Sequence, residues 1–431
     1  MRNALPFLLP AWPFLLLASS SAAAQVAPIP TPTQLPGDPF YIRKHWVIGG
    51  AGNWGYLALD PAAQRLYIAH GTVVQVVDLD SGTLAKQIVG FRDARAIALD
   101  DENVNGYVSD GAVSAVTVFD RRTLAVQSSI PIGCSPDSLA YDPSSKLVFA
   151  VCGAARSLPQ PAHQGDRSQQ PVAFGVSHLV AIDTAASNAV LADVAVPGEL
   201  RVVQTDGNGR VYVTAAESRL QIARNGAQNS VDPVRTIPPR IVLFDSSTLV
   251  NEAHRWFAEQ KKQESDGPAR LDVGENNPSN SLAQFLRLPA GCTEPHGFAI
   301  DSKNARIFAA CENQQLLVLN AGSGQVVATL TTGPGDDVIG YDADHNLIFS
   351  ANGAGYGSLT IIRQDATADT YAVIQNLPTL ARARTLAVDP STGIVYLVTD
   401  TMGVDLSPRG ALTNIKPAPI EGSFQVVVVG H

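Results

Sequence analysis

The sequence lacks the features that mark several large functional classes. It contains no GxSxG, HExxH or CxxCH string, which are the motifs of serine hydrolases, zinc proteases and proteins with covalently attached haem. It has no run of lysine or arginine, and its formal net charge of −9 argues against nucleic acid as a partner. Amphipathic helical patterns are scarce, and valine-rich segments of alternating hydrophobicity predominate instead. This pattern favours an all-β fold.

The chain is built from a repeated block of roughly forty residues, a period typical of propellers. Each of seven copies opens with an apolar stretch that ends in aspartate, followed by a polar turn and further short β-rich runs. The aspartates are Asp60, Asp100, Asp142, Asp206, Asp301, Asp342 and Asp389. A single four-stranded sheet cannot bury both of its faces, whereas sheets packed around an axis can. We therefore predict an all-β, seven-bladed β-propeller.

The two ends of the chain predict how the ring closes. The last repeat stops at His431 after three strands, and Tyr41–Ile48 has the pattern of the outer strand that ends the other repeats. An open ring would leave sheet edges unpaired. We expect the N-terminal strand to complete the last blade, so that residues 40–431 form a single domain.

The first residues have the pattern of a secretory signal peptide. Arg2 supplies the positive charge, an apolar segment follows, and Ala22–Ala24 provide the small residues of a cleavage site. Residues 25–39 are rich in proline and predict an extended linker. The apolar segment is short for a membrane span. We expect a periplasmic or secreted monomer without membrane insertion.

The four cysteines occur at matching places in two repeats. Cys134 and Cys292 precede the first strand of the third and fifth blades, and Cys152 and Cys311 end the second strand of the same blades. Antiparallel neighbours bring such ends together, so we predict the disulfides Cys134–Cys152 and Cys292–Cys311. A metal site is the alternative, although CxxC spacing is absent.

Several strands resemble a known repeat. The second strands Leu66–Ala69, Gly106–Ser109, Val211–Thr214 and Ile348–Asn352 are similar to the YVTN strand, and the third strands Val76–Asp78, Val118–Asp120 and Val180–Asp183 to its VxVID strand. In these residues the chain resembles the YVTN-repeat β-propellers, which are YncE-like exported proteins. The resemblance implies an exported propeller and leaves the activity open, because relatives include nucleic-acid-binding proteins, adhesins, amine dehydrogenases and lactonases.

Aligning the repeats predicts which side chains meet at one mouth of the central channel. The position five residues before each aspartate is occupied by Gly55, Arg95, Asp137, Arg201, His296, Asp337 and Arg384. These polar side chains have one of two roles: they only keep the channel hydrated, or they form a binding site in which arginines hold a carboxylate or phosphate group. We expect a non-catalytic protein that binds a small anionic ligand or a protein partner here. A DNA-binding propeller is a lower-ranked alternative.

The most distinctive local string is Cys292–Gly297, with sequence CTEPHG. A disulfide would stiffen it and hold His296 toward the axis, where Glu294 and Asp337 could tune its basicity. The alternative function is therefore a lactonase-like hydrolase or lyase that uses His296 as acid or base. No cofactor motif is present, and a divalent metal would require Asp137, Glu294, His296 and Asp337 to converge.

The sequence contains one match to a nucleotide-binding motif, but the surrounding elements do not fit that motif. Gly50–Gly55 satisfies GxGxxG but joins two strands and opens no helix, so the phosphate-binding argument does not apply. We interpret it as a flexible loop at the mouth in which Trp54 serves as a lid or stacking platform.

Long insertions interrupt three connections between second and third strands. They cover residues 156–177, 217–239 and 402–421, and we expect them to form a rim on the mouth face. A helix is predicted over Leu249–Glu264, capped by Thr248 and packed on its own blade.

Overall fold

The computed structural model describes residues 38–50, 52–100, 102, 104–153, 173–222, 235–260, 267–273, 282–292, 294–404 and 417–431. The predicted signal peptide and all of the linker before residue 38 lie outside the described residues, as do the central parts of the three insertions.

The first two repeats form one six-stranded sheet. Its strands are β2 (Trp54–Asp60), β3 (Arg65–Asp78), β4 (Thr83–Leu99), β5 (Asn105–Asp110), β6 (Ala115–Asp120) and β7 (Val126–Pro131), in that order. Strand β4 first pairs with β3 and then, from Ala94 onward, with β5. The outer strand of the first repeat therefore continues without a break into the inner strand of the second.

The third and fourth repeats form separate sheets. The third contains β8 (Pro136–Asp142), β9 (Leu147–Cys152), β11 (Val176–Asp183) and β12 (Ala189–Pro197), extended by the parallel strand β18 (Ala269–Asp272). The fourth contains β13 (Glu199–Thr205), β14 (Arg210–Ala216), β17 (Arg240–Asp245) and β19 (Ala283–Arg287). Described ends of the first two insertions also pair, through β10 (Ala173–Phe174), β15 (Ser218–Ile222) and β16 (Arg235–Ile237).

The last three repeats complete the ring. The fifth contains β20 (Pro295–Asp301), β21 (Arg306–Cys311), β22 (Gln315–Asn320) and β23 (Val326–Thr331), and the sixth β24 (Asp336–Asp342), β25 (Leu347–Asn352), β26 (Ser358–Asp365) and β27 (Thr370–Pro378). The seventh contains β28 (Thr385–Asp389), β29 (Ile394–Thr399) and β32 (Gln425–Gly430), while β30 (Met402–Val404) and β31 (Pro417–Pro419) pair in the third insertion.

Ring closure by the N-terminal strand is confirmed. Strand β1 (Tyr41–Val47) pairs antiparallel with β32, with Tyr41 opposite Gly430 and Val47 opposite Gln425. The fold is an all-β propeller, but the prediction of seven blades is wrong: the described residues form six sheets of four or more strands, not seven. The difference arises because β3 and β4 join the first two repeats into one hydrogen-bonded sheet.

Apolar side chains fill the spaces between neighbouring repeats. The second strand of every repeat contributes one buried aromatic ring to this packing: Tyr67, Tyr107, Phe149, Tyr212, Phe308, Phe349 and Tyr396. Because alternate residues of a strand point to opposite faces, each sheet is apolar on both sides and packs against two neighbours. The stabilising core is therefore distributed around the channel, and the inner strands are held rigidly.

The predicted helix is present and begins at Ser246, before the predicted Leu249, while residues 261–264 of the prediction lie outside the described residues. Helix α1 spans Ser246–Gln260, and its N-cap is Asp245, whose Oδ1 accepts the Thr248 backbone N–H at 2.9 Å. Thr248 is thus inside the helix rather than its cap. Leu249 and Ala253 are buried among side chains of the third and fourth repeats. Within the described part of the chain, no helix combines the length and apolar character needed to cross a membrane.

Candidate functional site

A β-bulge recurs near the start of the inner strands. Six inner strands each have one extra residue between two consecutive pairs with the second strand: β2, β4, β8, β13, β20 and β24. The shifts lie between Trp54/Leu57, Ala94/Ile97, Pro136/Ser138, Leu200/Val203, Pro295/Phe298 and Asp336/Val338. A bulge turns a side chain out of the regular alternation, and bulges are common at barrel rims and beside functional sites. These six share one end of the channel.

The bulged residues are the ones that the repeat alignment selects. Arg95, Asp137, Arg201, His296 and Asp337 lie within the bulges, and Arg384 directly precedes β28. All six line one cavity of about 360 Å³, which we name the mouth cavity. The structure therefore brings the ionisable ring together, while its role in ligand binding stays a prediction.

Glycines allow neighbouring bulges to approach closely. A Cβ added at Gly55 would overlap the carbonyl oxygen of Arg95, and one at Gly297 would overlap that of Asp337. Any larger residue would push the adjacent inner strands apart. These two glycines therefore set the width of the mouth cavity.

Arg95 is held by two carboxylates. Its Nη2 lies 2.6 Å from Asp93 Oδ2, and its Nη1 lies 3.3 Å from Asp137 Oδ1. Asp93 also lines the cavity, and sequence reasoning missed it because the residue lies outside the aligned ring position. The Arg95 guanidinium is thus neutralised within the site itself.

Arg201 is the most enclosed of the three arginines. Its Nη2 lies 3.2 Å from Glu199 Oε1 and 3.0 Å from Glu294 Oε2. Its buried Nε has no hydrogen-bond partner among the described residues. Glu294, which the sequence analysis assigned to His296, therefore binds Arg201.

Arg384 has the loosest pairing. Its Nε lies 3.5 Å from Asp337 Oδ2, longer than a typical charge-assisted hydrogen bond of roughly 2.8 Å. Its side chain is 49% exposed. Most of its five N–H donors therefore face the cavity or solvent.

His296 lies at the mouth without the carboxylate partners expected for it. Its backbone carbonyl accepts a hydrogen bond from Thr214 Oγ1 at 3.2 Å. Neither Glu294 nor Asp337 forms an ion pair or hydrogen bond with its ring; both carboxylates contact arginines instead. An influence of these two carboxylates on His296 stays a prediction.

Both predicted disulfides are confirmed. Cys134 is bonded to Cys152 and Cys292 to Cys311. Cys152 lies opposite Pro136 and Cys311 opposite Pro295, the last regular pairs before the bulges of β8 and β20. Each disulfide thus anchors the loop that leads into a bulge. Two disulfides are typical of proteins in an oxidising environment.

Trp54 does not form a lid. It is the first residue of β2, only 4% exposed, and packs against Phe424 with a ring-centroid distance of 5.2 Å. The Arg382 guanidinium stacks over it at 4.8 Å. Trp54 borders the mouth cavity as part of the core, because its pairing with His70 holds it inside the sheet.

Tyr56 is a site residue that the sequence analysis missed. It borders both the mouth cavity and a second cavity of about 400 Å³ deeper in the channel. Its ring packs against apolar clusters of the second and third repeats and of the fourth and fifth. Burial raises the pKa of Tyr56, and Asp337 and Asp137 act in the same direction. The ring thus forms the floor of the mouth cavity.

The metal hypothesis required four side chains to converge. In the described ranges, no group of three or more His, Cys, Asp or Glu side chains is arranged to hold a metal ion. Asp137, Glu294 and Asp337 are each paired with an arginine.

Comparisons with known proteins identify the fold. Searches against protein families and against curated proteins find no match. Among solved structures, the chain is similar to the WD40 repeats of RRP9, with a TM-score of 0.57 and 8% identity, covering 94% of this chain and 100% of that one. It is likewise similar to the U3-55K structure, with a TM-score of 0.57, 8% identity and coverages of 90% and 98%. At this identity the likeness establishes a β-propeller fold and nothing about function.

Proposed function

We propose that this chain is a non-catalytic binding protein that takes a small ligand bearing a carboxylate or phosphate group into the mouth cavity. The observation that carries the proposal is the cavity of about 360 Å³ bordered by Arg95, Arg201 and Arg384. Guanidinium groups recognise such anions through paired N–H donors. Arg384 is the main contact, because its ion pair with Asp337 is long and its side chain is half exposed.

The backbone supports binding without large rearrangement. Arg95 and Arg201 lie in the bulges of β4 and β13, whose sheets pack on both faces. Disulfides anchor the loops that lead into the bulges of Asp137 and His296. Such anchoring reduces the conformational entropy lost on binding. A hydrolase using His296 has no comparable support, since the carboxylates beside that residue hold arginines.

We also infer that the protein is exported to the periplasm or the exterior and is related to the YVTN-repeat propellers. Two disulfides support an oxidising compartment. Each second strand has a buried aromatic residue at the same position. In three repeats this residue is a tyrosine, as in the YVTN strand: Tyr67, Tyr107 and Tyr212. This agreement supports the relationship.

A ligand screen on the full chain tests the proposal. Small carboxylates, phosphates and amino acids are examined for an increase in melting temperature, since a ligand that binds only the folded state stabilises it. We expect Arg384→Gln to weaken binding of any hit by at least about tenfold, because hydrogen bonds to charged groups contribute roughly 1.5–3 kcal/mol. The free energy of unfolding should change by less than about 0.5 kcal/mol, because the ion pair it removes is long and partly exposed.

Arg363→Gln is the matched control. Arg363 is an exposed arginine on β26 that does not border the mouth cavity. It should leave both binding and melting temperature unchanged. Hits whose affinity is the same in wild type and Arg384→Gln would refute the proposed site.

A further inference from the structure

The charges around the mouth cavity restrict the ligand further than the arginines alone suggest. Within ion-pair distance of the three arginines lie five carboxylates, those of Asp93, Asp137, Glu199, Glu294 and Asp337. Formal negative charge therefore exceeds positive charge. A ligand with two negative charges would add repulsion that Arg384, the one loosely paired arginine, cannot offset alone.

The ion pairs differ in length, and the longer ones leave hydrogen-bond donors and acceptors accessible to a ligand. Arg95–Asp93 at 2.6 Å and Arg201–Glu294 at 3.0 Å are close contacts. Arg384–Asp337 at 3.5 Å and Arg95–Asp137 at 3.3 Å are longer than ordinary charge-assisted hydrogen bonds. The Asp137 side chain is also 53% exposed. Donors on Arg384 and acceptors on Asp137 and Asp337 are thus accessible from the same cavity.

We propose that the ligand of the mouth cavity is a small zwitterion of the amino-acid or short-peptide class, with its carboxylate on Arg384 and its ammonium group on Asp337 or Asp137. This inference rests on the proposed function and names its ligand class. A zwitterion leaves the formal charge of the mouth unchanged and replaces one long ion pair with two close ones. A diamine would leave the Arg384 guanidinium facing an added positive charge.

The floor of the cavity limits the ligand's size. Tyr56 separates the mouth cavity from the deeper one, so the accessible volume is about 360 Å³. Its ring also offers an apolar surface to the carbon chain between the two charged groups. A compact molecule with charges at both ends fits this shape.

Three matched series test the ligand class on the full chain at neutral pH and low salt. They are ω-amino acids with two to six carbons, dicarboxylates of the same lengths and diamines of the same lengths, with glycylglycine added to the first. Binding is measured by calorimetry and by melting temperature. We expect at least one zwitterion to bind more than about tenfold tighter than its matched dicarboxylate and diamine, since 1.4 kcal/mol is a factor of ten.

Variants connect this binding to the carboxylates. The double variant Asp137→Asn, Asp337→Asn should weaken zwitterion binding by at least about tenfold, because it removes the charge that holds the ammonium group. Asp80→Asn, at an exposed aspartate outside the cavity, is the control. Zwitterion binding that survives the double variant would overturn the inference.

The failures of the two proposals are distinguishable. Binding by dicarboxylates alone, lost in Arg384→Gln, would retain the proposed function and overturn the zwitterion assignment. No binding in these series or in the screen of carboxylates and phosphates would overturn both.

Discussion

Asp336 is a buried carboxyl group beside the mouth cavity whose titration should be measurable in the stability of the fold. It is 2% exposed, its Oδ2 accepts a hydrogen bond from Thr332 Oγ1 at 3.0 Å, and its Oδ1 has no partner among the described residues. Burial raises the pKa of Asp336 to about 7. The folded protein therefore keeps this proton at pH values where the unfolded chain has lost it.

The sign of the effect follows from linkage. A group whose pKa is higher in the folded state contributes stability below its unfolded pKa of 3.8, and that contribution is lost as pH rises toward about 7. Between about pH 5 and about pH 8 the loss is on the order of 3 kcal/mol, at roughly 1.4 kcal/mol per pKa unit. Asp336→Asn retains an acceptor for Thr332 but cannot ionise, so this part of the pH dependence should disappear.

Chemical denaturation of wild type and Asp336→Asn across that pH range measures the difference. Subtracting one free energy of unfolding from the other removes the titration of groups that both proteins share. We expect the variant to gain stability relative to wild type as pH rises, while Asp80→Asn, which changes an exposed carboxylate, controls for loss of one negative charge. A constant difference between wild type and Asp336→Asn would refute the reasoning.

Two other changes test the construction of the mouth. Gly55→Ala should lower the free energy of unfolding by roughly 1–3 kcal/mol, because the new Cβ overlaps the Arg95 backbone. Gly291→Ala should be tolerated, since the nearest atom to its Cβ is 3.8 Å away, and equal effects in denaturant melts would contradict the account. Replacing both Cys292 and Cys311 by alanine should cost about 3 kcal/mol through the lost loop constraint. An unchanged denaturation midpoint would argue against that disulfide's contribution.

Local sequence patterns were sufficient to predict the strands, the closure of the ring by the N-terminal strand and the two disulfides. Alternating hydrophobicity marks a strand regardless of its neighbours, and the repeat places Cys134 and Cys292 at equivalent positions. The same alignment selected the mouth residues, because equivalent positions in a propeller lie at equal distances from the axis. The number of sheets was not predictable in this way, since it depends on whether β4 bends without breaking its hydrogen bonds.

The pairing of charges at the mouth could not be read from the repeats. Glu294 follows Cys292 closely and was expected beside His296, yet it contacts Arg201 from another repeat. Tyr56 was overlooked because it adjoins the aligned glycine, and only the bulge in β2 brings it to the channel. Buried Asp336 likewise looks the same in the sequence as its partly exposed neighbour Asp337.

The sequence by itself determined the propeller fold, its closure by Tyr41–Val47, its cysteine pairs and the residues around the mouth, because each depends on periodicity along the chain. The tertiary structure alone decided which carboxylate neutralises which arginine, which tyrosine forms the cavity floor and which aspartate is buried. Those properties arise from distances between separate repeats, which are set by bulges and by the close approach that Gly55 and Gly297 permit.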